Sequence, residues 1–288
     1  MKLNDLIKQI KLKKSYLCVG IDPDFDKIPE HIKNEEDPLY FFSKSIIDST
    51  VEFSVALKFN IAFFEAYGVK GISSLERLIN YVNKKYPNVF TIADAKRGDI
   101  GNSSNRYAKA FFENFGFDSI TVSPYMGKDS IDPFLSFKDR YASILALTSN
   151  PGSEDFQLIP SKGKKVYQRV IIESRKWKGS EKMMYVVGAT KAAHFADIRQ
   201  IIPDSFLLIP GVGKQGGSLK EVSFFGMNHK VGILVNSSRS IIYASKKEDF
   251  AERAGHEASR LQGEMESILK EKNLYKKSPP SKKVFGGD

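Results

Sequence analysis

The stretch VFTIADAKRGDIGNSSNRYAKAFFENFG, residues 89–116, contains one whole structural unit. Residues 89–93 are a short apolar run, the composition of a strand buried on both faces. Four formal charges then crowd into six residues: Asp94, Lys96, Arg97 and Asp99. Beyond them Tyr107, Ala108, Phe111, Phe112 and Phe115 recur at helical spacing, and Gly116 is placed to stop the helix. Strand, charged turn and amphipathic helix, in that order, make a β/α unit whose chemistry sits at the end of the strand.

The same unit recurs along the chain. Apolar runs occupy 16–21 (YLCVGI), 53–59 (FSVALKF), 89–93, 117–123 (FDSITVS), 141–147 (YASILAL), 183–189 (MMYVVGA), 205–211 (SFLLIPG) and 230–236 (KVGILVN). Helical patterns lie between them. Leu75, Leu78, Ile79 and Val82 share one face, and after the last run Phe250, Ala254, Leu261, Met265 and Leu269 form a long stripe. Ser245 and Glu248 have the spacing of a capping box before that stripe. The long 148–182 connection, with its NPGSEDFQ segment, reads as a functional loop followed by a helix. Eight strands alternating with helices predict an α/β fold, a (β/α)8 TIM barrel. A doubly wound sheet is the competitor, but no glycine-rich dinucleotide fingerprint follows the first run. No linker divides the chain, so residues 1–270 are predicted to form one catalytic domain. Residues 271–288, rich in Lys, Pro and Gly, form a frayed tail.

Composition excludes several classes. No apolar run approaches the roughly 20 residues of a membrane-spanning helix. The first residues, MKLNDLIKQIKLKK, read as an amphipathic helix and not as a secretory signal. The lone Cys18 sits in an apolar run as a small buried hydrophobe, and one cysteine permits no internal disulfide, which fits a reducing cytoplasm. The net charge of +10 suggests nucleic acid at first. However, residues 1–14 carry five lysines against one aspartate, and residues 270–288 carry six against two acids, so the body is close to neutral. A nucleic-acid groove would be built into the body.

In a barrel the active site forms at the C-terminal strand ends. The predicted ends present Asp22, then Lys58 and Asn60, then Asp94 and Lys96. Ser123 follows the fourth run, Thr148 and Ser149 the fifth, Gly211 the seventh, and Asn236, Ser238 and Arg239 the eighth. PGVGKQGG (210–217) offers backbone N–H groups that can approach an anion closely, and NSSRS (236–240) adds hydroxyls and the guanidinium of Arg239. Together they predict a phosphate cradle after strands seven and eight, where such sites recur. Asp94 and Lys96 alternate, so an extended backbone points both to one face, where Lys58 of the neighbouring strand joins them. Carboxylates flanking a lysine favour its ammonium form. Such a lysine donates a proton to a developing carbanion; a Schiff-base lysine would want desolvation or another cation nearby.

DAKRGD (94–99) matches the Asp-x-Lys-x-x-Asp motif of the orotidine 5′-monophosphate decarboxylase family. GIDPD, LKFN, SNPG, PGVGKQGG and SSRSI match its other segments in order. The resemblance spans roughly 15–245, and GIDPDFDKIP with DAKRGDIGNSS is similar to the longer bacterial branch. It implies decarboxylation of orotidine 5′-monophosphate to uridine 5′-monophosphate, with no cofactor and no metal. It implies that Asp22 and Lys58 hold ribose hydroxyls, that Asp94 lies against the substrate carboxylate, and that Lys96 protonates C6. Asp99 and Ile100, with Ser103, are implied to reach the other subunit's site in a homodimer. Ser149 is implied to read the pyrimidine edge, under a loop shaped by Pro151 and Gly152. Pro210, Gly211, Gly213, Gln215, Ser238 and Arg239 are implied to line the phosphate site. Ser238 stands where relatives commonly carry glycine, and Lys214 where a small residue is frequent. Two rivals remain at this stage. One is a Mg²⁺-dependent sugar-phosphate decarboxylase, which resembles this family but carries glutamate where Lys58 stands. The other is a catalytically silent barrel that binds nucleotide.

Overall fold

A computed structural model of the chain describes residues 1–212 and 216–274. The eight strands are β1 (Leu17–Ile21), β2 (Ala56–Asn60), β3 (Phe90–Arg97), β4 (Ser119–Val122), β5 (Tyr141–Leu147), β6 (Met183–Val187), β7 (Leu207–Pro210) and β8 (Ile233–Ser237). Each falls within or overlaps a predicted apolar run. They pair in chain order, all parallel, and β8 returns to β1 with Leu17 opposite Val235, which closes the barrel. Nearly every residue of β1, β2, β6 and β8 is buried, because helices cover the outside and side chains fill the inside.

The outer helices carry the predicted stripes. Gly68–Lys85 buries Leu75, Leu78, Ile79 and Val82; Phe250–Glu271 buries Phe250, Ala254, Leu261, Met265 and Leu269. Leu3–Lys13 buries Leu6 and Ile10. Among the described residues no helix is long and apolar enough to cross a membrane. The segment 271–288 lies almost wholly outside the described residues.

Two local expectations are corrected. The helix after β3 runs Gly101–Lys109 and then widens into a π-turn, Ala110–Asn114. The wider turn rotates the apolar face, so Phe111 and Phe112 are buried while Tyr107 stays at the surface with the Arg97 guanidinium 5.4 Å from its ring. Nor does the capping box form. Ser245 Oγ donates to Asp249 Oδ1 at 2.5 Å and accepts from the Lys247 amide, and the helix begins only at Phe250.

The N-terminal face is held by Arg199. Its guanidinium donates to the carbonyls of Gly226 (2.6 Å), Ser205 (2.7 Å), Gly232 (2.8 Å) and Ile202 (3.2 Å). One side chain therefore ties together the segments that feed β7 and β8. Burial lowers its pKa to about 10, still well above physiological pH. At the opposite face the connection after β5 forms a short helix (Ser153–Phe156), a two-residue antiparallel pair (Pro160–Ser161 with Lys164–Lys165) and a helix (Val166–Ser174). Gln157 closes this loop on the strand end, accepting from the Thr148 amide at 2.7 Å.

Candidate active site

Asp94 is the hub of the C-terminal face. Lys58, 4% exposed, donates to Asp94 Oδ2 at 2.8 Å. Lys96 donates to Oδ1 at 2.6 Å, and Thr121 Oγ1 donates to the same oxygen at 3.0 Å. Asp22 Oδ1 stands 4.0 Å from the Lys58 ammonium on its other side. Burial opposes ionisation of Asp94, but the Lys58 and Lys96 ammonium groups outweigh it and hold the carboxyl well below the usual carboxylate range. Burial likewise opposes the charge on Lys58, and the Asp94 and Asp22 carboxylates overcome it, raising its pKa above that of an ordinary lysine. The Lys58–Asp94 pair is therefore fully charged at neutral pH. Beneath it Cys18 is buried and its thiol is pushed up to about 12 by that burial, so it is inert.

The pairing of Asp94 with Lys96 is reached by a route the alternation rule does not foresee. The register of β3 against β4 shifts between Ala93 and Arg97, and Lys96 adopts φ = 48°, in the left-handed region. The segment is bulged, not simply extended. Thr121 stabilises the bulge: its Oγ1 accepts from the Lys96 amide at 2.9 Å while donating to Asp94. Lys96 itself is half exposed, with 53% of its side chain accessible, and meets the cleft through Asp94.

A cleft of about 160 Å³ brings Asp22, Lys58 and Asp94 together with Pro210, Gly211, Ser238 and Arg239. Arg239 opens a four-residue helix, Arg239–Ile242, and is exposed. The backbone after β7 folds back on itself, the Gly217 amide donating to the Gly211 carbonyl at 3.2 Å. A Cβ at Gly217 would come within 2.3 Å of the Ala189 Cβ, so the turn requires glycine there. Gly213, Lys214 and Gln215 lie outside the described residues. Ser238 Oγ donates to Asp22 Oδ2 at 2.7 Å, so this serine braces a carboxylate of the array.

The remaining predicted residues do not join the array within one chain. The Asp99 side chain accepts from the Ile100 amide at 2.7 Å; Ile100 is 54% exposed and Ser103 is exposed on the following helix. Ser149 lies past β5, its carbonyl accepting from Thr190 Oγ1 at 3.4 Å. Sequence reasoning missed Thr121, whose hydroxyl lies inside an apolar run. It also missed Tyr243, whose hydroxyl donates to the Asp22 carbonyl (2.7 Å) and accepts from the Asp24 amide (2.8 Å). Asn60 and Asn236 were placed on the rim without a role; both line the cleft.

The orotidine 5′-phosphate decarboxylase / HUMPS family pattern matches residues 15–254. The chain is 59% identical over 272 residues to an orotidine 5′-phosphate decarboxylase of Flavobacterium johnsoniae, covering 94% of this chain and all of that one. It is 56% identical to the enzyme of that name from Christiangramia forsetii, covering 93% and 99%. Among solved structures, the OMP decarboxylase of Leishmania donovani superposes with a TM-score of 0.76 at 31% identity, covering 91% of this chain and all of that one.

Proposed function

Since the chain belongs to the orotidine 5′-phosphate decarboxylase / HUMPS family, we propose that its Asp22–Lys58–Asp94–Lys96 array is the catalytic centre of that reaction. The protein decarboxylates orotidine 5′-monophosphate to uridine 5′-monophosphate in pyrimidine biosynthesis. The bond from C6 to the carboxylate breaks, carbon dioxide leaves, and the electron pair stays at C6 in an orbital the ring does not delocalise. Lys96 donates its proton to that carbon and regains one from water. The observation that carries this reading is the half-exposed Lys96 ammonium held 2.6 Å from Asp94, a carboxylate that lines the cleft. A fixed ammonium stabilises the developing anion without reorganising at the moment of reaction. Asp94, ionised beside the substrate carboxylate, adds repulsion that departure of carbon dioxide relieves.

Asp22 and Lys58 hold the ribose, while Arg239 with the backbone of Pro210–Gly211 and the adjoining Gly213 and Gln215 takes the phosphate. Phosphate binding, remote from C6, supplies energy for closing the site and forcing like charges together. Ser149, with Pro151 and Gly152, covers the base. The enzyme works as a homodimer in the cytoplasm, with Asp99, Ile100 and Ser103 serving the partner's site. The exposure of Ile100 and Ser103 supports this, as do the exposed Tyr125 and Met126 on the adjacent loop. A Mg²⁺-dependent lyase fits less well, because the Lys58 ammonium already lies between the Asp22 and Asp94 carboxylates. The deciding assay follows the fall in ultraviolet absorbance of orotidine 5′-monophosphate with and without EDTA. Turnover that chelation leaves intact is expected; loss on chelation with restoration by Mg²⁺ would overturn the reading.

A further inference from the structure

Asn236 ends β8 with only 7% of its surface exposed, yet its carboxamide oxygen accepts no hydrogen bond. Asp22 Oδ1 is likewise buried without a hydrogen-bond donor. Both residues line the same cleft, Asn236 beside β1 with Cys18 opposite it in register. The packing between the two strands is tight. A Cβ on Gly20 would lie 2.6 Å from Ser238 Cβ and 3.2 Å from Asn236 Oδ1, so glycine at 20 makes room for both side chains to lean over β1. Ser238 engages the second oxygen of Asp22 and leaves the first one open. A buried acceptor without a donor is unfavourable, and two in one cleft call for a ligand that brings hydrogens.

The substrate narrows which hydrogens these are. Its phosphate, its carboxylate and its ring carbonyls are acceptors only. Its donors are one ring N–H, on the side of the base away from the sugar, and two pentose hydroxyls, between base and phosphate. Asn236 and Asp22 line one cleft with the Lys58–Asp94 pair and Arg239, the groups assigned above to the ribose, the reacting carboxylate and the phosphate. We propose that Asn236 is a further substrate-contacting residue whose carboxamide oxygen, beside Asp22 Oδ1, accepts a pentose hydroxyl and so selects ribonucleotides. This rests on the function proposed above. A site built to bind a hydroxyl rejects the analogue that lacks it.

The test compares wild type with Asn236→Ala on orotidine 5′-monophosphate and its 2′-deoxy and 3′-deoxy analogues. The variant is expected to lose about 10- to 100-fold in kcat/KM on the ribonucleotide, chiefly through KM, and to lose little on one of the deoxy analogues, so that the ribo preference collapses. An equal loss on all three, or no loss, overturns the proposal. If Asn236→Ala does not fold, Asn236→Leu keeps the branched shape without the acceptor and is read the same way. If the wild type fails to turn orotidine 5′-monophosphate over, the functional reading falls. Calorimetric titration of uridine, 2′-deoxyuridine and 3′-deoxyuridine 5′-monophosphates into both proteins still decides this one.

Discussion

Lys58 donates to Asp94 Oδ2 across the β2–β3 boundary at 2.8 Å, and both side chains are nearly sealed from solvent. Asp94 titrates below the usual carboxylate range when folded, so its contribution to stability is complete above about pH 4 and is lost as pH falls further. The Lys58 shift is upward, so its contribution is complete below about pH 10 and is lost as pH rises beyond that. The stability supplied by the pair is therefore flat between about pH 5 and 9. Asp94→Asn should lower the urea midpoint at pH 7, and the gap to wild type should shrink at pH 3. A gap independent of pH would show that the charge of Asp94 does not stabilise the fold.

Lys96 holds a left-handed backbone conformation that costs a side-chain-bearing residue about 1 kcal/mol relative to glycine. Both Lys96→Ala and Lys96→Gly should lose nearly all turnover while still binding nucleotide. The glycine variant should unfold at the higher temperature of the two, by about 1 kcal/mol in stability. Calorimetric melting of the pair checks the backbone argument, and retained wild-type kcat in either would remove Lys96 as proton donor.

Arg239 lines the cleft beside Pro210 and Gly211 and is proposed to take the phosphate. Arg239→Ala should lose about 1.5–3 kcal/mol in kcat/KM, the range of a hydrogen bond to a charged group. Steady-state kinetics on the full nucleotide measure this, and an unchanged value would place the phosphate elsewhere.

Arg199 braces the opposite face through four carbonyls. Arg199→Met should destabilise the fold by about 3 kcal/mol, because several buried acceptors lose their donor. Turnover at low temperature should match wild type. A large fall in kcat with normal stability would contradict the division of the barrel into a chemical face and a structural face.

The eight strands were legible because closure of a parallel barrel buries both sides of each one, leaving near-continuous apolar runs such as YLCVGI and KVGILVN. The site was legible by position: Asp22, Lys58, Asp94 and Arg239 stand where those runs stop, and the structure brings them together. What escaped depends on register between strands distant in sequence. That Ser238 would bond Asp22 follows only once β8 closes on β1. The bulge that sets φ at Lys96, and the widened turn that turns Tyr107 outward, arise from local geometry for which apolar periodicity carries no signal. Asp99 and Ile100 stand out in the sequence as motif members, while within one chain neither lines the cleft.

The Thr121 hydroxyl receives a hydrogen from the Lys96 backbone and gives one to the Asp94 carboxylate. The proposed proton donor and its counter-ion, both on β3, are thus latched to a common peg on the neighbouring strand β4. Valine at 121 would match threonine in bulk yet release both at once, shifting the donor's aim and the anion's hydration together. An engineer altering this strand to improve folding could therefore silence the enzyme without touching a single charged residue.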